Sequence, residues 1–203
     1  EERRIKMYPM DFEEFLWALG DEMMMPFVKN CFEKKRPLGP VHAKAMDYFR
    51  KYLLIGGMPQ VVKNFVEHRD FRKVDREKRM ILDLYRQDIE KHADRLEKKV
   101  KSIFDTIPAE LQRHEKKFRL ADLEKNAKFR SYESSFVWLD EARVVNLCFA
   151  ATEPNVGLGL KLDNMRVKCY FADTGLLVSH AFDENELMDN NLYQKLLLDK
   201  LEM

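Results

Sequence analysis

Residues 131–149 read Ser-Tyr-Glu-Ser-Ser-Phe-Val-Trp-Leu-Asp-Glu-Ala-Arg-Val-Val-Asn-Leu-Cys-Phe, and two different periodicities follow one another within them. Apolar side chains first recur at intervals of four and three positions, which predicts a helix over 131–142. The following run, 144–149, is rich in β-branched and aromatic residues and predicts a strand. A similar run at 167–171 predicts the second strand of a hairpin. The stretch therefore predicts a helix that leads into a small β-hairpin.

Patterns just upstream complete a known order of elements. A helix is predicted at 109–114 and a short helix at 121–126, with a break near 127–130 before the helix described above. Helix, short helix, turn, helix and two-stranded hairpin is the order of a winged helix-turn-helix. We therefore expect a winged-helix domain over residues 108–180.

The chain before this domain has helical spacing of apolar residues almost throughout. Asp11 and Glu14 form a variant of the capping box at the first helix. Gly56 and Gly57, followed by Met-Pro, interrupt the helices and permit positive φ angles, so they are the candidate hinge. The predicted fold is mainly α, a helical lid-like bundle over residues 11–107 followed by the winged helix-turn-helix with its small β-hairpin.

The two ends of the chain differ from the rest. Residues 1–10 alternate polar and apolar side chains and predict a residual strand or linker from a preceding domain. Residues 181–203 predict an acidic helical tail that leads into a missing segment. The chain begins at Glu1 and ends within an amphipathic stretch, so we expect it to be part of a longer protein.

Charge is balanced overall but not locally. The 36 Lys and Arg residues oppose 35 Asp and Glu residues, which gives a net charge of +1 and argues against a generally basic nucleic-acid binder. Residues 86–130 nevertheless contain thirteen basic and nine acidic residues. Six cations near the predicted helix-turn-helix are candidate phosphate contacts: Lys116, Lys117, Arg119, Lys125, Lys128 and Arg130. A solvated helical surface explains the same charges.

The helix predicted at 131–142 does not suit sequence-specific base readout. Its predicted outer face presents Glu133, Ser134, Ser135 and Glu141, and none of these is basic. Contact with the phosphate backbone is therefore better supported than contact with base edges.

Several kinds of chemistry find no pattern in the sequence. The chain has no Walker phosphate loop, no GxSxG elbow, no CxxC pair and no histidine pair at metal-ligand spacing. We therefore assign no catalytic, cofactor-binding or metal-binding residue. Asp173 follows a predicted strand, where it either caps the next helix or ligates a metal, and we favour the cap. Three distant cysteines and the lack of a membrane-length apolar run favour a cytoplasmic protein without membrane contact.

Five stretches occur in an order that matches a known family: Tyr8–Phe15 (YPMDFEEF), Gly56–Pro59 (GGMP), Tyr85–Ile89 (YRQDI), Tyr132–Leu139 and Tyr170–Leu177 (YFADTGLL). Together they resemble the uncharacterised C-terminal region that follows the P-loop domain in bacterial and archaeal AAA-type ATPases. The resemblance covers nearly the whole chain. It implies that the Walker motifs precede Glu1, and that ATP and Mg²⁺ belong to the parent protein rather than to this chain.

Three functions follow as hypotheses. The first is a non-catalytic module, with no enzyme activity of its own, that couples the nucleotide state of the preceding ATPase domain to a winged helix. That winged helix would contact DNA, RNA or a protein. The second is a stand-alone winged-helix regulator that binds DNA. The third, a nuclease that uses Asp173 and the acidic tail, is the least supported, because no lysine-bearing strand motif follows within the chain.

Overall fold

Helices make up most of the structure, as the sequence predicts. A computed structural model describes residues 6–151 and 162–183, together with residue 191. The fold is mainly α, with a small antiparallel sheet towards the C-terminal end. Among these described residues, no helix has both the length and the apolar character that a bilayer crossing requires.

The described residues form eight α-helices and two β-strands. The helices are α1 (Phe12–Ala18), α2 (Met24–Glu33), α3 (His42–Ile55), α4 (Pro59–His68), α5 (Phe71–His92), α6 (Glu97–Gln112), α7 (Glu133–Glu141) and α8 (Thr174–Ala181). The strands are β1 (Val145–Ala151) and β2 (Leu162–Phe171), which pair antiparallel. Short 3₁₀ turns lie at Gly39–Val41, Asp94–Leu96, Leu120–Asp122 and Phe129–Ser131. The predicted hairpin is confirmed.

Two compact units share these elements. The terminal unit combines the chain up to Ile81 with the chain from Asp173 onward, and the middle unit comprises Leu82–Ala172. Helix α5 contributes residues to both units, because the division falls within it. The domain boundaries expected after residues 107 and 180 divide the chain in another way and stay a prediction.

Hydrogen bonds of a capping box start the first helix where the sequence predicts, and a glycine follows its end. The Asp11 carboxylate accepts the backbone N–H of Glu14 at 2.8 Å, and the Glu14 carboxylate accepts the N–H of Asp11 at the same distance. This reciprocal pair is a capping box, which satisfies two N–H groups that a helix start leaves without partners. At the other end Gly20 takes a φ of +82°, a value that glycine adopts without strain.

An apolar core joins the helices of the terminal unit. The rings of Phe15 on α1 and Tyr52 on α3 lie 5.4 Å apart, and α3 also packs along α8. Fully burying an apolar side chain such as Phe15 contributes roughly 1.5–3 kcal/mol to the free energy of unfolding. Apolar side chains of this unit that are fully buried include Phe15, Leu16, Leu54, Ile55, Val61, Val62 and Val74.

Aromatic side chains build the core of the middle unit. The ring centres of Phe104 on α6 and Phe171 on β2 lie 5.4 Å apart. Phe118 packs edge to face on Phe136 of α7, with 5.1 Å between the ring centres. The backbone N–H of Phe118 also donates to the Val167 carbonyl of β2 at 2.9 Å. These contacts connect the segment between α6 and α7 to the hairpin.

Helix α6 corrects the prediction of a separate helix at 109–114. Pro108 lies inside a single helix, Glu97–Gln112. A proline in a helix interior removes a hydrogen bond and crowds the preceding turn. Here Ile107 and Leu111, on either side of it, are both buried, so core packing outweighs that local cost.

Other expected elements are shorter or fall elsewhere. The short helix predicted at 121–126 is only the 3₁₀ turn Leu120–Asp122, so the middle helix of the predicted helix-turn-helix is a single turn. Residues 6–10 form no strand, and residues 1–5 lie outside the described residues. Most of the predicted tail at 181–203 also lies outside them.

Gly175 provides a test of how closely α8 packs against the end of α3. A Cβ added there would collide with the backbone carbonyl of Ile55, whereas one added at Gly20 would meet nothing within 4 Å. We expect Gly175→Ala to lower the free energy of unfolding by about 2–3 kcal/mol, because overpacking typically costs about 1–3 kcal/mol and the obstructing atoms here belong to the backbone. Gly20→Ala is the control, and its strained φ costs about 1 kcal/mol. If urea unfolding shows that the two variants lose the same free energy of unfolding, α8 does not pack closely against the end of α3.

Candidate functional site

The six predicted phosphate contacts lie on one segment of the middle unit, between α6 and α7. Five of them are exposed: Lys117, Arg119, Lys125, Lys128 and Arg130. Lys116 is partly buried, and its ammonium group donates to the backbone carbonyl of Leu111. We call residues 113–131 the basic segment, since it contains seven basic residues and three acidic ones.

A buried carboxylate fixes the first half of the basic segment. Glu110 is 1% exposed and accepts hydrogen bonds from the Arg113 guanidinium at 2.6 Å and from the backbone N–H of Arg119 at 2.7 Å. Arg113 also pairs with Asp122. Burial raises the pKa of Glu110, and the Arg119 N–H opposes that rise. The segment is therefore folded back against α6 by interactions of Glu110 and Arg113.

The second half of the basic segment is held by Lys99 of α6. Its ammonium donates to the Ser131 carbonyl at 2.6 Å and lies 4.9 Å from the centre of the Tyr132 ring. The Tyr132 hydroxyl in turn donates to the Glu124 carboxylate at 3.1 Å. Five exposed cations therefore project from a segment whose backbone is fixed at both ends.

Helix α7 does not present a basic face. Its nine residues, ESSFVWLDE, include no Lys or Arg. Glu133, Ser134, Val137 and Glu141 are exposed on it, whereas Ser135, which the sequence places on the outer face, is buried. Side chains that read guanine bases are mainly basic, so this helix lacks the usual means of sequence-specific readout.

The candidate hinge lies in a closely packed junction of the terminal unit. Gly56 ends α3 with a φ of +84°. The Gly57 carbonyl accepts the Met10 N–H at 2.7 Å, and the Gly57 N–H donates to Asp173 at 2.6 Å. A Cβ on Gly57 would collide with the Met10 backbone. Bending at these glycines would have to break both hydrogen bonds, and the hinge stays a prediction.

Asp173 joins two distant parts of the chain. It caps α8 by accepting the Leu176 N–H at 2.8 Å, which confirms the predicted cap, and its other carboxylate oxygen accepts the Gly57 N–H. Asp173 is only 4% exposed. Burial raises its pKa, and the N–H groups of Gly57 and Leu176 oppose the rise. We call Met10, Gly56, Gly57, Asp173 and Gly175 the Asp173 junction.

Among the described residues, no group of three or more His, Cys, Asp or Glu side chains is arranged to hold a metal ion. At Asp173 both carboxylate oxygens are taken by backbone N–H groups. The carboxylate therefore stabilises the fold. Its hydrogen bonds do not support the metal-binding role that the nuclease hypothesis gives to Asp173.

A buried lysine lies in the same unit and was missed by the sequence analysis. Lys78 of α5 is 0% exposed and donates to the Leu54 carbonyl at 2.8 Å. Burial lowers its pKa to about 8, while the charges of Asp75 and Asp173 oppose that shift. A signal was present, since Lys78 is four positions from Val74 and from Leu82 and so lies on the apolar stripe of the helix.

Another polar contact joins α5 to α8, whereas Lys78 joins α5 to α3. The buried Asp75 carboxylate accepts the Ser179 hydroxyl and the Arg79 guanidinium, the latter at 3.0 Å. Arg79 also donates to the backbone carbonyls of Phe182 and Asp183 at 3.2 and 3.1 Å. Two charged side chains of α5 therefore satisfy backbone and hydroxyl groups at the end of α8.

Residues 46–186 match the family described as Domain of unknown function (DUF8612). The match covers more than half of the chain, so the chain belongs to this family. It includes the basic segment, Gly56, Gly57 and Asp173. No curated protein and no solved structure matches the chain. The family description names no ATPase, so the resemblance to AAA-type ATPases stays a prediction.

Lys78 gives a pH-dependent prediction. An unfolded lysine keeps its proton up to about pH 10.4, whereas folded Lys78 releases it near pH 8. Between these values the unfolded chain binds more protons, so stability rises with pH. Relative to Lys78→Met, we expect the wild-type free energy of unfolding to increase by about 2–3 kcal/mol from pH 7 to pH 10.

Urea unfolding at several pH values measures this difference. Lys73→Met, at an exposed position of the same helix, is the control and should follow the wild-type pH profile. If the free energies of unfolding of the wild type and of Lys78→Met change with pH in parallel, burial does not lower the pKa of Lys78.

Proposed function

We propose that this chain is a non-catalytic module of an AAA-type ATP-binding protein. In this proposal a separate P-loop domain of the same polypeptide binds ATP and Mg²⁺. The module passes its nucleotide state to the region that follows α5, which contains the winged-helix-like elements and meets a nucleic acid or protein partner.

The Asp173 junction is the observation that supports this proposal best. Three of the stretches that resemble the ATPase family are Tyr8–Phe15, Gly56–Pro59 and Tyr170–Leu177. Their residues Met10, Gly57 and Asp173 form one series of hydrogen bonds. Three motifs that are far apart in sequence are therefore joined by hydrogen bonds in the fold. This favours an architecture shared with the ATPase family over a chance similarity of sequence.

The same series of bonds offers a route for coupling. Residues 6–10 lead into the junction, and the Tyr52 hydroxyl donates to the Met10 carbonyl at 2.9 Å. A displacement of Met10 would act on Gly57, and through Asp173 on the start of α8. Strand β2 ends two residues before Asp173, so the same carboxylate lies next to the end of the hairpin in sequence. Rigid elements joined in this way can transmit a change of state.

The first test concerns ATP. We expect the purified 203-residue chain to show no ATP turnover, because its sequence has no Walker loop. The product of the complete reading frame should hydrolyse ATP and show nucleotide-dependent protection of the terminal unit from proteolysis. Asp173→Asn should keep the hydrolysis rate and lose that protection, since the altered side chain disturbs the Gly57 and Leu176 hydrogen bonds.

Asp47→Asn is the matched control, since Asp47 is half-exposed on α3 of the same unit and pairs with Lys51 four residues on. It should retain both hydrolysis and protection. ATP turnover by the 203-residue chain would contradict the proposal. So would a complete reading frame without a Walker loop.

A second candidate function is binding of nucleic acid through phosphate contacts, with or without an ATPase domain. The basic segment favours it, because five exposed cations project from a backbone fixed by Glu110 and Lys99. Because α7 has no basic face, we expect the basic segment to contact the phosphate backbone and not to read the edges of the bases.

Charge reversal tests this candidate. We expect the triple variant Lys125→Glu, Lys128→Glu and Arg130→Glu to weaken oligonucleotide binding at least tenfold at low salt. It should also reduce the slope of log affinity against log salt by roughly 2–3, about 0.7–0.9 per lost phosphate contact. Fluorescence anisotropy at several salt concentrations measures both quantities.

The control makes the same change in net charge on the terminal unit. Lys34, Lys35 and Arg36 are three consecutive exposed cations, and their replacement by Glu should leave the salt slope unchanged. If both triple variants weaken binding equally, the basic segment is not the binding surface.

A further inference from the structure

An open pocket of about 640 Å³ lies within the middle unit, apart from the basic segment. Six residues line it: His92, Ala93, Asp94, Arg95, Leu96 and Trp138. His92 ends α5, the next four come from the turn between α5 and α6, and Trp138 comes from α7. The pocket therefore combines one aromatic ring, two small or branched apolar side chains and three polar or charged ones.

Trp138 gives the pocket a flat apolar surface. The side chain is only partly buried, whereas Ser135, Phe136 and Leu139 around it on α7 are fully buried and hold the helix in place. An indole ring offers a large stacking surface with little conformational freedom. Stacking on such a ring is sequence-tolerant, because every nucleic-acid base has a π-face.

Charged groups surround this ring. Arg95 and His92 are exposed, and both can donate hydrogen bonds to phosphate or to base carbonyl oxygens. Asp94 also lines the pocket, and a carboxylate accepts hydrogen bonds from base amino groups but repels phosphate. This mixture suits a base with its phosphate placed towards Arg95, rather than a free phosphate ion.

The pocket and the end of the basic segment both lie next to α7. Lys99 of α6 contacts Ser131 and Tyr132, and four positions earlier Arg95 shares the pocket with Trp138. Trp138 lies five positions beyond Glu133, the first residue of α7, which corresponds to roughly 7–8 Å along the helix. Lys128 and Arg130 precede α7 by only a few residues, so they are the nearest members of the basic segment in sequence to the start of this helix.

We propose that the middle unit binds single-stranded nucleic acid, with one base stacked on Trp138 and the flanking phosphates near Arg95, Lys128 and Arg130. The proposal rests on the second candidate function and specifies its ligand. A duplex keeps its bases stacked and paired inside, so it cannot offer a base face to this pocket. Single strands are therefore bound more tightly than duplexes of equal length.

The two tryptophans of the chain allow a direct test. Trp17→Phe leaves Trp138 as the sole indole, and Trp138→Phe leaves only Trp17, which is half-exposed on α1 of the terminal unit. We expect a 12-residue oligothymidylate to quench the fluorescence of Trp17→Phe to saturation at low salt. Under the same conditions Trp138→Phe should show little quenching.

Affinity measurements complete the test. Anisotropy with the labelled oligonucleotide should show that Trp138→Ala weakens binding by about 5- to 150-fold, the range expected for one lost stacking contact. Arg95→Ala, at an exposed position that leaves the core intact, should weaken binding at least threefold. The matching duplex should bind at least tenfold more weakly than the single strand.

Specific results overturn the proposal. Binding in anisotropy without quenching of Trp138 excludes the pocket and leaves the second candidate function standing. Equal affinity for duplex and single strand, or for thymidine monophosphate and the oligonucleotide, also excludes a stacked strand. If anisotropy shows no binding at all, the second candidate function fails together with this inference.

Discussion

The carboxylate of Asp173 accepts one N–H from Gly57 and another from Leu176, and the terminal unit depends on this pair of bonds. One bond starts α8 and the other holds the break between α3 and α4. Because Asp173 is almost fully buried, loss of either N–H would leave a charged oxygen without compensation for its lost hydration. The glycines at 57 and 175 are required by the same geometry, since a Cβ at either position would collide with backbone atoms.

Buried charge is a recurrent means of joining segments in this chain. Lys78 satisfies the last turn of α3, Asp75 binds α8, and Glu110 folds the basic segment against α6. Burying a charge is costly unless hydrogen bonds compensate it, so each of these side chains tolerates few alternative arrangements. The two units therefore use the same principle, one to hold its helices together and the other to display cations on a fixed backbone.

Much of the helical pattern could be predicted from the sequence because its signals are local. The Asp11–Glu14 capping box, the proline that begins α4 and the β-branched and aromatic residues around β1 act over a few positions. Pro108 was misleading, because buried neighbours keep the helix continuous through it. The Gly57–Asp173 bond and the burial of Lys78 depend on tertiary packing, about which a single sequence contains little information. The cations of the basic segment were found from charge alone, whereas Trp138 was assigned to a helix without any role in a pocket.

The discontinuous terminal unit has a consequence for biosynthesis. Gly57 and Asp173 are separated by 116 positions. A ribosome adds about 5–20 residues per second, so roughly 6–23 seconds pass between the synthesis of these two residues. During that interval α3 and α4 are present, but the carboxylate that joins them to α8 does not yet exist. The middle unit is complete in sequence before Asp173 emerges, so it can fold first while the terminal unit waits for its last segment.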